Sequence, residues 1–506
     1  MMEVDGAPQQ SDDEVKNNDA ESDVQSWCTE SAAALTPEEE MGELIARARA
    51  AQSVVESYSQ EQVDRLIRGM VWAVARPGVA EEIAHLAVTE TRLGNYEGKL
   101  AKIAQKTRAG LLDILHERSV GVIEEDAARG IAKIAKPIGV IGATSPSTNP
   151  EATPVLKAIN AIKARNAIVI SPHPRAEKTN KVIVEKMRSA LTQLGAPADL
   201  VLHVAGPSRA KTKALLAQSD LVWATGGKNI AKNALMSGKP AFPSGVGNAA
   251  ILVDETADLG LAAACISRSK TFDNAASCSA DNAVLAVDAI YDAFVAALEA
   301  AGGYLVADVA ERAALQRTLF KQGPNGIFML NAEVVVQPAH LIAARAGINL
   351  PAQKTFLIVP ESGAGAAYPF SGEKLSPVLA LYRVHSVAEG VDLTNRIQAY
   401  QGHGHSCGIF STSDANIMAF SSGTRTARVM VNQPQSLSNS GSLSNGMPVT
   451  LSLGCGTWGC STSTANINWR ALVNLTWVSR PLSQPKVLPA DIDLFGDVVR
   501  LVQDES

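Results

Sequence analysis

From Gly139 onward one local pattern repeats, and it restricts the fold more than any other feature. Short, continuously apolar runs alternate with helical stretches. Ala167-Ile-Val-Ile170 precedes a predicted helix over Lys178–Leu194, and Leu200-Val-Leu-His-Val204 precedes one over Arg209–Gln218. Asp220-Leu-Val-Trp223 ends at Thr225-Gly-Gly227, and Ala250-Ile-Leu-Val253 supplies a fourth strand. A strand apolar on both faces needs cover on both faces. Intervening helices provide that cover and make the strands parallel, so the class is α/β. A second alternating block begins near Leu259. It reads as a helix over Leu261–Ser269, a loop at Thr271–Ser279 and a helix over Ala283–Ala301. Strands follow at Val334–Val336, Phe356–Val359, Cys407–Phe410 and Ala427–Val431, the last inside the Ser- and Asn-rich segment Ser421–Asn445.

The flanks are simpler. Between Pro37 and Arg118, Met41, Leu44, Ile45 and Ala48 recur at helical spacing, and Val63, Leu66, Ile67 and Met70 repeat it. Ser119–Glu124 and Ile131–Ile141 read as strands framing a turn, and Leu472–Ser479 as an edge strand. Residues 1–36 are acidic and polar and predict a disordered tail. A chain of 506 residues exceeds one ordinary core, so two or three domains are expected.

Net charge is −6 and the isoelectric point about 5.8, which argues against a nucleic-acid partner. The start, Met-Met-Glu-Val-Asp, has neither the basic nor the apolar region of a secretory signal. No apolar run reaches the roughly 18–20 residues of a membrane span. The expected setting is therefore cytoplasmic, with Cys28, Cys265, Cys278, Cys407, Cys455 and Cys460 as free thiols. None forms a Cys-x-x-Cys pair, and Cys455-Gly-Thr-Trp-Gly-Cys460 is too loosely spaced for a zinc knuckle, so no metal is expected.

Four places could carry chemistry. Cys278 lies in Lys270-Thr-Phe-Asp-Asn-Ala-Ala-Ser-Cys-Ser-Ala280, at a predicted loop-to-helix junction. There a helix N-terminus would favour the nucleophilic thiolate, although on spacing alone a packed core thiol fits better. In Gly139-Val-Ile-Gly-Ala-Thr-Ser-Pro-Ser-Thr-Asn-Pro150, Asn149 could offer a fixed amide to an oxyanion or simply close a turn. Thr225-Gly-Gly-Lys228 could cradle a pyrophosphate on backbone amides, or be a plain strand-to-helix turn. Glu373, in Glu373-Lys-Leu-Ser-Pro-Val378, and His405, in Gly402-His-Gly-His-Ser-Cys407, are titratable but ambiguous alone.

In this order these motifs, with Ser171-Pro-His-Pro-Arg-Ala176 and Leu453-Gly-Cys-Gly-Thr-Trp-Gly459, resemble the aldehyde dehydrogenases, within them the coenzyme-A-acylating branch. The resemblance covers roughly residues 40–480. It implies a Rossmann-like cofactor domain over 37–258 with a β oligomerisation arm near 119–136. It also implies an α/β catalytic domain over 259–445, and a return to the first domain over 446–506. Cys278 matches the family nucleophile, and Asn149 with the Cys278 N–H its oxyanion hole. Glu373 matches the acid on the nicotinamide ribose, and Thr225 and Gly226 the turn beneath the pyrophosphate. Ser145 is a further candidate to touch the cofactor. Ser171 stands where hydrolytic relatives place a lysine, which leaves NAD against NADP open. The implied co-substrates are NAD or NADP and coenzyme A. His405 is a possible base for the coenzyme A thiol.

One departure is informative. Hydrolytic relatives carry a water-activating glutamate where this chain has Pro243-Ser-Gly-Val-Gly-Asn248, with Ser244 nearest that position. Serine is no base at neutral pH, so a thioester should persist until a thiol takes the acyl group. The Phe-Asp-Asn-Ala-x-Ser-Cys-Ser form looks most like the acylating sulfoacetaldehyde dehydrogenases. Ser145, Ser277 and Thr457, with Arg425 or Arg428, are candidates to hold the sulfonate. Acetaldehyde and succinate semialdehyde are alternative substrates. A hydrolytic aldehyde dehydrogenase, a glutamyl-phosphate reductase and a non-catalytic binding module are the rival readings. By resemblance the chain forms a homodimer or homotetramer, with the 121–136 arm and Leu472–Ser479 pairing across subunits.

Overall fold

The computed structural model describes residues 35–323 and 328–502. The tail expected over 1–36 lies almost wholly outside the described residues. The helical stretch resolves into α1 (Pro37–Val55), α2 (Gln60–Ala75), α3 (Val79–Thr91), α4 (Tyr96–Ala101) and α5 (Thr107–Leu115). Lys102–Lys106, between the last two, is a π-helical turn. Met41, Ile45, Ala48, Leu66, Ile67 and Met70 form one core cluster with the first sheet, as their spacing requires.

The run Ile131–Ile141 is two strands in two sheets. β1 (Gly121–Asp126) and β2 (Ile131–Pro137) form an antiparallel arm, and the chain turns at Ile138–Gly139 into β3 (Val140–Ser145). Gly139 has φ +128°, and its missing side chain admits the carboxylate of Asp220, which accepts the Val140 N–H at 2.8 Å. β3 then starts a parallel sheet. α6 (Thr153–Lys163) leads to β4 (Ala167–Pro172), α7 (Glu177–Gln193) to β5 (Val201–His203), α8 (Arg209–Gln218) to β6 (Leu221–Thr225), and α9 (Lys228–Leu235) to β7 (Ala241–Ser244). The order is β5-β4-β3-β6-β7. The chain winds outward from β3 in one direction, then crosses back and winds in the other. The crevice beyond the carboxyl ends of β3 and β6 is therefore a topological switch point, where such sheets bind ligands.

The strand read at Ala250–Val253 is β8 (Ala249–Val253), and it belongs to the other sheet. The break between sheets thus falls between Ser244 and Ala249, ahead of the expected residue 258. After α10 (Leu259–Thr271) the chain departs furthest from the expected pattern. The segment expected to open a helix at Ala283 is instead β9 (Asp281–Val287), buried at every residue, and the helix α11 runs only over Tyr291–Ala300. A short apolar run carries no periodicity that separates buried strand from buried helix, and burial on both faces decides for the strand. β10 (Gly303–Leu305), the antiparallel pair β11 (Phe320–Gln322) and β12 (Phe328–Leu330), then β13 (Phe356–Pro360), β14 (Val378–Val384), β15 (Cys407–Phe410) and β16 (Val429–Val431) follow. The seven-stranded parallel order is β10-β13-β14-β9-β8-β15-β16, which sets β8 and β9 at its centre. Val334–Val336, expected as a strand, is a turn in which Val336 has φ +58°.

β17 (Val473–Ser479) pairs antiparallel with β2 of the same chain, giving the order β1-β2-β17. The partnership expected across subunits is thus made within one chain, and the outer edges of β1 and β17 stay open. Among the described residues no helix is long and apolar enough to cross a membrane.

Candidate active site

Cys278 sits on the turn between α10 and β9, half-buried, at a loop-to-strand junction. No helix begins behind it, so the expected helix-dipole activation of the thiol does not apply. Burial pushes the Cys278 thiol up to about 12, and the charges of Glu373 and Cys455 push the same way; the Ser279 hydroxyl and Arg428 pull it down. The turn itself is strained. Asp273, Asn274 and Ala275 all have positive φ, at 49°, 52° and 61°. Left-handed non-glycine residues cost about 1–2 kcal/mol each and persist only where the surroundings hold them.

A buried charge cluster does the holding. Asp273 accepts the Asn95 N–H at 2.8 Å, Lys99 Nζ at 2.9 Å and Lys102 Nζ at 2.5 Å. Burial pushes its carboxyl up, but the two ammoniums prevail and keep it below the usual carboxylate range. Gly98 must be glycine here, since a Cβ would lie 2.5 Å from the Asp273 Cβ. Asn274 Nδ2 lies 3.4 Å from the Val336 carbonyl, which ties the turn at residues 334–336 to the nucleophile turn. Lys102, from the π-helical turn, also donates to Asn149 Oδ1 at 2.6 Å. An ammonium has no lone pair, so the Asn149 oxygen must face it; Nδ2 donates to Thr148 Oγ1 at 3.2 Å and keeps a second hydrogen for a ligand. The Cys278 N–H takes no part in the turn's backbone hydrogen bonds among the described residues.

The opposite wall is the loop Gly245–Asn248. A Cβ on Gly247 would lie 1.8 Å from the Cys278 carbonyl oxygen. The Gly247 N–H donates to Glu373 Oε1 at 3.1 Å. Burial raises Glu373 to about 8, against that amide and the charges of Lys270, Lys374 and Lys228. Behind it Lys270 is fully buried, and burial brings it down to about 7. Gly402 packs on Asn248 and Gly404 on the Cys455 carbonyl, so the glycine-rich segment that carries His405 closes over this loop. His405 is buried, its Nδ1 2.9 Å from Ser406 Oγ, and burial with the Arg428 charge lowers it to about 3. An imidazole that weak does not suit a base for a thiol.

The cofactor candidates lie at strand ends. Ser145 ends β3 beside the switch point; its buried Oγ has no hydrogen-bond partner among the described residues, and that of Ser244 at the end of β7 has none either. Thr225 ends β6, its Oγ1 3.1 Å from Ser452 Oγ, and Gly226 and Gly227 lead into α9. Ser171 is the last residue but one of β4, and its buried Oγ is 2.8 Å from Thr212 Oγ1. It faces α8 rather than the crevice.

The anion-holding candidates are dispersed. Ser277 Oγ accepts the Ser279 N–H at 3.1 Å within the nucleophile turn. Thr457 and Arg425 are exposed. Arg428 is buried, and each of its three guanidinium nitrogens is hydrogen-bonded within the protein. Its Nε donates to Asn466 Oδ1 at 2.6 Å, Nη1 to the His405 carbonyl at 2.8 Å, and Nη2 to the carbonyls of Gly454, Thr464 and Ala465. The sequence assigns no role to Asp273, Lys99, Lys102, Gly247, Lys270 or Cys455. Asp273, Gly247, Lys270 and Cys455 lie inside the quoted motifs, whereas Lys99 and Lys102 lie in no motif.

The family model for aldehyde dehydrogenases matches residues 16–311. The acylating sulfoacetaldehyde dehydrogenase of Cupriavidus necator is 40% identical over 462 residues, 91% of this chain and 92% of its own. The chain belongs to the aldehyde dehydrogenase family. Among aldehyde dehydrogenases of known structure, the acetylating enzyme of Geobacillus thermoglucosidasius superposes with a TM-score of 0.84 at 33% identity, over 89% of this chain and 98% of that one. A Rhodopseudomonas palustris propionaldehyde dehydrogenase, solved with bound CoA and an acylated cysteine, gives 0.77 at 27% identity, over 87% and 97%. Aldehyde dehydrogenase membership accounts for the pairing of a switch-point crevice with a cysteine turn on the neighbouring sheet.

Proposed function

We propose that this aldehyde dehydrogenase oxidises a short polar aldehyde to its acyl-coenzyme A through a thioester on Cys278. The observation that carries the reading is the wall facing the thiol. Gly245–Asn248 closes on Cys278 without a carboxylate, so the loop supplies no base to activate water. The thioester then waits for a better nucleophile, and the coenzyme A thiol is one.

The residues present fit a nicotinamide cofactor. Two orphaned buried hydroxyls, Ser145 and Ser244, stand at strand ends around the switch point, with Thr225 and Gly226 beside them. We assign Glu373 to the cofactor ribose and give Ser171, which is hydrogen-bonded to Thr212 on α8, no contact with the cofactor. When bound, the cofactor supplies the oxidising equivalent. The chain does the rest: the Cys278 sulfur attacks the aldehyde carbon, and the Asn149 amide with the Cys278 N–H takes the developing oxyanion. Coenzyme A thiolate then attacks the thioester carbonyl and expels Cys278.

Glu373 favours one rival. Among the described residues it is the carboxylate that faces Cys278, and a value near 8 would suit a base for water. Hydrolysis predicts turnover without coenzyme A, whereas acylation requires it. For the aldehyde we favour sulfoacetaldehyde, on the similarity to the Cupriavidus enzyme. The discriminating experiment compares kcat/KM for sulfoacetaldehyde, acetaldehyde and succinate semialdehyde, each with coenzyme A and with NAD or NADP. Sulfoacetaldehyde should lead, and a clear preference for acetaldehyde would overturn the substrate. We also propose a cytoplasmic homo-oligomer that buries the open edges of β1 and β17, with Leu475 and Trp477 exposed on the latter.

A further inference from the structure

Three hydrogen bonds fix Asn149 and the peptide before it. Lys99 Nζ donates to the Thr148 carbonyl at 2.6 Å. The Asn149 carbonyl accepts the Thr153 N–H at 3.2 Å. Lys102 Nζ donates to Asn149 Oδ1 at 2.6 Å. Of the three, the last acts on the amide assigned to the oxyanion. An asparagine side chain can turn over and exchange its oxygen for its nitrogen. Turned over, the amide would offer an oxygen to the oxyanion and repel it. It would also set its N–H groups against the Lys102 ammonium, so Lys102 rejects that state. Lys102 is buried and shares Asp273 Oδ2 with Lys99, which ties it to the nucleophile turn. The turn that delivers Lys102 is π-helical, an insertion found mostly at functional sites.

We propose that Lys102 is a positioning residue for the oxyanion hole: its ammonium keeps the Asn149 amide turned with Nδ2 available to the oxyanion and strengthens that donor. The proposal rests on the thioester reading, in which Asn149 takes the oxyanion. Two effects act together. A hydrogen bond from a charged donor is roughly twice as strong as a neutral one, so the amide is held firmly. The cation also draws electron density towards the amide oxygen, which makes the N–H groups on Nδ2 better donors. Neither effect needs a proton transfer. The charged groups facing Lys102 are Asp273 at 2.5 Å, Glu151 at 3.9 Å and Lys99, and the Phe272 ring centroid lies 5.5 Å from its Nζ. Burial lowers the Lys102 pKa and the Lys99 charge adds to this, while Asp273 and Glu151 act against both.

The test is a double-mutant cycle on the NADH burst, measured when enzyme and NAD meet the better of sulfoacetaldehyde and acetaldehyde without coenzyme A. Asn149→Ala removes the donor and should slow the burst roughly a hundred- to a thousandfold. Lys102→Met keeps the length of the side chain and removes its charge. It should slow the burst roughly ten- to a hundredfold, the worth of one hydrogen bond to a charged group. The Kd for NAD, read by fluorescence quenching, should not change. In the Asn149→Ala background Lys102→Met should slow the burst by no more than about twofold, because the group it acts through is gone. An equal loss in both backgrounds overturns the proposal, since Lys102 would then only support the turn. Lys102→Gln, polar but uncharged, runs the same cycle where Lys102→Met does not fold. A normal burst in Lys102→Met beside a slow one in Asn149→Ala strikes the proposal alone. A normal burst in Asn149→Ala strikes the oxyanion reading, and the proposal with it.

Discussion

Gly247 and Cys278 touch through their backbones: a methyl group on Gly247 would lie 1.8 Å from the Cys278 carbonyl oxygen and 3.2 Å from its Cβ. The nucleophile turn and the loop lacking a base are therefore one packed unit. Gly247→Ala should displace the turn, because the obstructing atoms are backbone. We expect kcat for acyl-coenzyme A formation to fall roughly a hundredfold, the scale of a misplacement near 1 Å. Steady-state kinetics with the folded variant checks it, and a near-normal kcat would show that the contact does not position the thiol.

Glu373 should make cofactor binding depend on pH. Its carboxyl titrates near 8, and only the ionised form accepts hydrogen bonds on both oxygens. NAD affinity, measured by fluorescence quenching, should therefore strengthen as pH rises through 8 and level off above it. Glu373→Gln should remove that dependence and weaken binding roughly tenfold or more.

Asp273 should be a stability residue as well as a positioning one. Its pKa is lowered in the fold, so its contribution is present above the unfolded value near 3.8 and is lost as pH falls through the lower folded value. The buried Glu151 is the other carboxylate of the cluster, 3.7 Å from Lys99 Nζ and 3.9 Å from Lys102 Nζ, and in Asp273→Asn it alone faces the two ammoniums. Breaking such a cluster costs about 3–5 kcal/mol, read as a drop in Tm at neutral pH. The same variant releases the left-handed run 273–275 and should lower kcat. An unchanged Tm would show that the cluster does not hold the turn.

Much of this fold was legible because burial on both faces of a strand leaves a continuous apolar run. β4, β6, β13 and β15 were found that way. The same property hid β9, since Asp281–Val287 is equally compatible with a helix until its neighbours β8 and β14 are known. That error also supplied a helix N-terminus that does not exist, and the thiol's true surroundings, Ser279, Arg428, Glu373 and Cys455, come from four separate segments. Arg428 shows the limit most plainly. Its charge and position suit an anion site, but all three of its nitrogens are hydrogen-bonded to oxygens that only tertiary structure brings near. Asn149 was readable as an amide in a turn, whereas the ammonium of Lys102 that orients it lies 47 positions away in sequence.

The central claim is that Cys278 carries an acyl group that water does not remove. Intact-protein mass spectrometry after mixing enzyme, NAD and sulfoacetaldehyde without coenzyme A measures this directly. The expected result is a persistent acyl adduct on Cys278 that disappears as acyl-coenzyme A when coenzyme A is added, and no adduct in Cys278→Ala. Steady release of the free acid without coenzyme A, or acyl-coenzyme A production by Cys278→Ala, would contradict the account.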